Sequence, residues 1–149
     1  MAGQFSATTV INRPIDEVFD FVADGENDKR FSSRVLEITK TTDGPPGVGT
    51  VYASTVKDGG VKTQGEFKLT EFVAPTRIRW TELSKNPIVV PEGGYDLEPV
   101  GDGSTRVTLH NVLEGHGFGK VILPLALRSA RKGGAAEIVQ SLKATIEAS

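Results

Sequence analysis

The chain has 149 residues, 38% of them hydrophobic, which suits one globular domain spanning 1–149 with a single sizeable core. A formal charge of −2 gives no electrostatic footprint for nucleic acid or an anionic membrane, and the absence of cysteine removes disulfide and thiolate chemistry. No apolar run approaches the ~20 residues of a membrane span, and MAGQFSATTV lacks a secretory pattern, so a cytoplasmic protein is expected.

Gln4 to Ile11 alternates, with Phe5, Ala7, Thr9 and Ile11 on one face, and predicts a first strand. Pro14 sets φ for a helix start, and Asp16 and Glu17 fall in the first turn, where the helix dipole favours carboxylates. Ile15, Val18, Phe19 and Val22 share one face of that helix, and Asp24-Gly25 ends it with a residue able to take the left-handed conformation. Glu26 to Phe31 predicts a second short helical turn.

From Arg34 the pattern changes to strands separated by turn clusters. Val35 to Thr42, Val48 to Val56, Val61 to Val73, Arg77 to Leu83, Tyr95 to Val100 and Arg106 to Leu113 each read as strand. Asp43 to Gly47, Asp58-Gly59-Gly60, Ala74-Pro75-Thr76 and Gly101-Asp102-Gly103 punctuate them. Asn86 to Gly94 carries two prolines and two glycines, which argues against a central strand there. The last helix is expected over Pro124 to Glu147, with Leu127, Ala135, Ile138, Leu142 and Ile146 on one stripe and Val139 at its edge. Arg131 and Gly133-Gly134 disturb that stripe; the glycines either let the sheet approach or widen a pocket.

Consecutive hairpins imply an antiparallel meander, and the terminal helix is the large element available to cover it. The expected class is α+β: a curved antiparallel sheet of about six to seven strands wrapped around a long C-terminal helix, with two short helices after the first strand. Where the two curvatures disagree, a ligand pocket is expected.

Pro14-Ile15-Asp16-Glu17-Val18-Phe19-Asp20-Phe21-Val22-Ala23-Asp24 resembles the opening helix of the polyketide cyclase/dehydrase and START-like superfamily, which shares the Bet v 1-like helix-grip fold. Gly47 to Tyr52 resembles that family's second hairpin, and Tyr95 to Pro99 with Gly103 to Leu109 its last. The likeness covers roughly Phe5 to Glu147, with Phe31 where many members place tryptophan. It implies a hydrophobic cavity that binds lipids, polyketides, sterols or hormones, or hosts cyclisation and dehydration. It supplies no fixed catalytic motif.

Gly44-Pro45-Pro46-Gly47-Val48-Gly49-Thr50 nearly writes a P-loop, but Thr50 stands where lysine is required and a strand follows instead of a helix. His110 has the parity of the outer face, whereas His116 lies in a glycine-flanked loop near one mouth of the expected cavity. Two histidines without cysteine make no zinc site, and neither metal nor cofactor is expected. Glu82 follows Ile78 and Trp80 on the inner face, where desolvation would raise a carboxyl pKa. Glu82 and His116 are therefore the candidates for proton transfer, against a frayed strand end and an ordinary loop residue. Tyr52, Phe67, Trp80, Tyr95 and Asn111 from the sheet, with Leu127 and Arg131 from the helix, are the candidate ligand contacts. Arg131 either anchors an acidic ligand, pairs with Glu82, or lies on the surface with Arg128 and Lys132 if the glycine pair kinks the helix. The expected function is binding of a hydrophobic or amphipathic small molecule. The alternatives are a cyclase or dehydratase in the same cavity, and a protein-interaction module.

Overall fold

The computed structural model describes residues 2–58 and 60–149, so Gly59 of the expected Asp58–Gly60 turn lies outside the described residues. Strand β1 (Ala2–Ile11) leads to helix α1 (Ile15–Ala23), a 3-10 turn (Gly25–Asn27) and the single turn α2 (Asp28–Phe31). Pro14 opens α1 as expected, its carbonyl accepting the Glu17 and Val18 N–H groups at 3.1 Å each. The face carrying Val18, Phe19 and Val22 is buried, and each such side chain contributes roughly 1.5–3 kcal/mol of burial. The end of α1 departs from expectation. No left-handed residue closes it; Asp24 stays extended and its carboxylate accepts the Glu26 N–H at 3.0 Å, capping the 3-10 turn.

Strands β2 (Val35–Lys40), β3 (Val51–Asp58), β4 (Val61–Val73), β5 (Arg77–Glu82), β6 (Ile88–Val100) and β7 (Ser104–Gly115) follow. The described residues form one antiparallel sheet of seven strands in the order β1-β7-β6-β5-β4-β3-β2. Alternation places Ile11, Ile38, Tyr52, Leu69, Ile78, Tyr95, Leu97, Val107 and Leu109 in the core, and the helices cover that concave face. The expectation against a central strand over Asn86 to Gly94 is corrected. From Ile88 the chain pairs with β7, its register slipping between Val89 and Glu92, whereas pairing to β5 begins only at Gly93. Pro91 sits in that irregular stretch, where it interrupts no ladder to β5.

The C-terminal helix begins at Gly119, five residues before the expected Pro124, so Pro124 stands inside helix α3 (Gly119–Ser129). A π-helical turn (Ala130–Gly134) joins α3 to helix α4 (Ala135–Glu147). Gly133 takes φ 143° and ψ −19° within it, and the Ala135 N–H reaches back to the Ala130 carbonyl. The turn rephases the stripe: Val139 is fully buried with Leu142 and Ile146, and Ile138 is left at the edge. Helix and first strand are laced together. Arg131 donates to the Gln4 carbonyl at 3.1 and 2.7 Å, Lys143 to the Val10 carbonyl at 2.8 Å, and the Asn12 N–H to the Glu147 carboxylate at 2.8 Å.

Candidate functional site

Register aligns one row of concave-face residues across the sheet: Leu69, Trp80, Gly93, Asn111 and Phe5. Gly93 is the gap in that row. A Cβ there would run into the Trp80 indole nitrogen and the Asn111 side-chain oxygen, so both polar tips lean over the same bare backbone. Neither has a hydrogen-bond partner among the described residues, and both side chains are only half-buried. Trp80 also packs edge-on against Tyr95, with centroids 5.4 Å apart and planes at 68°. Phe67 lies in the adjacent row between Tyr52 and Glu82, half-buried. The terminal helix approaches β1 and β7 most closely, while Tyr52, Leu69 and Ile78 on the concave face of β3 to β5 are buried in the same core as Val139, Leu142 and Ile146.

Above that face stands α2. Phe31 is buried, and Asp28, three residues before it, shares its side of the turn. Burial, with the Asp24 charge second, raises the Asp28 pKa from 3.8 to about 7. The side chain has no hydrogen bond or ion pair among the described residues. Tyr95 lies within reach of the Asp28 charge, and its phenol pKa is raised well above 10.0, first by burial and then by that charge. Burial raises the Tyr52 phenol as well; the Gly25 amide pulls it back in part, and Asp24, Asp28 and Glu26 add to the rise. The Tyr52 hydroxyl is buried with no partner at hydrogen-bonding geometry. A carboxyl and two phenols thus form a polar pole on an otherwise apolar surface. Asp28 falls in the Glu26 to Phe31 turn that the sequence predicts, and the sequence does not single it out as a site residue.

The remaining expected residues sit apart from this pole. Both Glu82 oxygens are engaged: Ser84 donates at 2.5 Å, Asn86 at 3.0 Å and the Val90 N–H at 2.9 Å. Glu82 thereby clasps the segment between β5 and β6 and makes no pair with Arg131. His116 is exposed and pairs with Glu114 at 2.8 Å. His110 is on the outer face, 3.4 Å from Glu92. Leu127 is buried over β1, where Gly3 leaves room for it. Arg131 is exposed with Arg128 and Lys132, as a kinked helix requires.

Two open grooves, of about 480 and 460 Å³, lie on the outer sheet face. The first holds charges that satisfy one another, Arg77 pairing with Asp96 at 3.1 Å and with Glu71 at 3.6 Å. Among the described residues no three His, Cys, Asp or Glu side chains stand close enough to hold a metal ion.

The family model described as polyketide cyclase / dehydrase and lipid transport matches residues 2–147. No curated protein matches the sequence. Solved structures share the fold at low identity. A Thermus thermophilus protein is 19% identical, with 98% of each chain covered and a TM-score of 0.80. A START superfamily protein from Mycobacterium smegmatis is 14% identical, with 97% of each chain covered and a TM-score of 0.76. The Zhui aromatase/cyclase from Streptomyces sp. R1128 is 12% identical over 96% of this chain and 94% of that one, with a TM-score of 0.75.

Proposed function

The chain belongs to the polyketide cyclase/dehydrase and lipid transport family, and from that premise we propose that it binds a hydrophobic or amphipathic small molecule between the concave face and the C-terminal helix. The observation carrying this reading is the row around Gly93, where Trp80 and Asn111 bring unpartnered polar tips together on an apolar surface. Polar tips left accessible and unpaired on a largely apolar concave face suit a ligand that completes them. Phe67 and Trp80 supply the apolar contact, and Asp28 with Tyr95 receives a hydroxyl or amino group at the other end.

Trp80 is the single tryptophan and reports directly on occupancy. Titration with oleic acid and with an anilinonaphthalene sulfonate dye is expected to shift its emission saturably. Gly93→Ala, which pushes Trp80 and Asn111 apart, is expected to weaken binding by roughly tenfold, about 1.4 kcal/mol. A flat titration, together with a native mass free of adducts, ends the reading.

A second reading, an enzyme of cyclase or dehydratase type, draws on one observation. Asp28, with a pKa of about 7, is poised to move a proton at neutral pH. On this reading Asp28→Asn abolishes cyclisation of a linear poly-β-ketone while the Trp80 titration is retained. Turnover surviving in that variant but lost in Glu82→Gln or His116→Ala returns the role to those residues.

A further inference from the structure

Helix α3 turns an apolar face to solvent. Phe118, immediately before the helix, is 68% exposed, and Val121 is 78%, Ile122 37% and Leu125 65% exposed. Their i, i+3, i+4, i+7 spacing forms one continuous stripe, opposite the buried Leu123 and Leu127 that seat the helix on the sheet. An apolar stripe of this kind, on a helix whose other side is already packed, marks an interaction surface.

The charges beside it are of one sign. From His116 to Ala136 the sequence has Lys120, Arg128, Arg131 and Lys132 and no acidic residue, within a chain whose net charge is −2. Overall charge therefore hides a local basic segment. Arg131 is spent on the Gln4 carbonyl. Lys120, Arg128 and Lys132 are exposed and have no acidic partner among the described residues. Around the helix Arg128 falls beside Val121 on one flank of the stripe and Lys132 at its border, whereas Lys120 lies on the side of the buried Leu127. Leu83, just after β5, and Val61, which opens β4, are also exposed at the end of the sheet where α3 begins.

We propose that α3 docks this protein on the surface of an anionic lipid bilayer, the Phe118–Leu125 stripe entering the headgroup boundary while Arg128 and Lys132 meet acidic headgroups. The stripe supplies apolar insertion and the cations supply attraction, the two components that together hold an in-plane helix at a membrane. Docking is peripheral, since no described helix is long and apolar enough to cross a bilayer. A second copy of the chain fits the stripe less well. A two-fold contact through α3 would set its unpartnered cations against their own counterparts with no acid in the segment to offset them.

The test is cosedimentation of the full chain with vesicles of phosphatidylcholine alone and of phosphatidylcholine mixed with phosphatidylglycerol. The chain is expected to pellet with the acidic vesicles, to stay in solution with the neutral ones, and to be released by salt. Val121→Asp with Leu125→Asp is expected to lower partitioning at least about tenfold, and Arg128→Gln or Lys132→Gln about fivefold each. These side chains are exposed, so circular dichroism melts of the variants should match the native protein. The proposal is overturned if the native chain ignores acidic vesicles, or if the double aspartate variant still partitions equally. It is also overturned if that variant merely dissolves a native dimer that has no affinity for vesicles.

Discussion

Asp28 couples the site to the stability of the fold. Its carboxyl has a pKa near 3.8 in the unfolded chain and about 7 in the folded one, so between these values the folded state holds the extra proton. The contribution is therefore lost as pH rises through that window and stays lost above it. Thermal melts of the native protein and Asp28→Asn, followed from about pH 4 to about pH 8, should diverge as pH rises. The asparagine variant gains relative stability with pH and holds its advantage above neutrality. Parallel curves would mean that the carboxyl is solvated in the folded state. Asp28 was not legible as a site residue because burial of a polar side chain on a short turn depends on what packs over it. The alternation of β5 and β7, by contrast, made Trp80 and Asn111 legible as inner-face residues. Gly93 was not, because a glycine needed for lack of a side chain reads like a glycine needed for a turn.

The two adjacent glycines of the terminal helix do different jobs. Gly133 holds φ 143°, which a side chain resists, whereas Gly134 has helical angles of −58° and −46°. A Cβ at Gly133 would touch nothing within 4 Å, so the glycine is needed not for close approach of the sheet but for the bend. Gly133→Ala should cost about 1–3 kcal/mol, and Gly134→Ala should stay within ~1 kcal/mol of the native protein, both read by urea denaturation. Equal losses at the two positions would contradict this division of labour. The bend was legible as a disturbance in the apolar stripe. The start of the helix at Gly119 was not, because Phe118 offers no capping side chain and the turn is fixed by packing of Gly119 on the Pro87 backbone. Tertiary contact overrode the local signals that pointed to Pro124.

Across the whole molecule, most strands and the order of helices were readable because one face of the sheet is covered and alternation survives wherever that holds. What failed to read was the first part of β6, where pairing on one side only excuses a proline. The lacing of α4 to β1 and the packing of α3 on β7 make one half of the sheet better held than the other. Hydrogen exchange should show this: amides of β7 and those of β1 that bond to it exchange slowest, those of β2 and β3 faster, and a bound ligand protects β3 to β5 most. Uniform protection in the free protein would refute it. The strand order carries a further consequence. Ala2 pairs with Glu114, so among the described residues the first strand of the sheet finds its one neighbour in the last. Until β7 has been made, β1 has no partner strand, and closing so long a loop comes late and slowly in folding. The sheet can therefore be completed only once β7 has left the ribosome, and a nascent β1, rich in threonine and apolar residues, is the segment most in need of shielding while it waits.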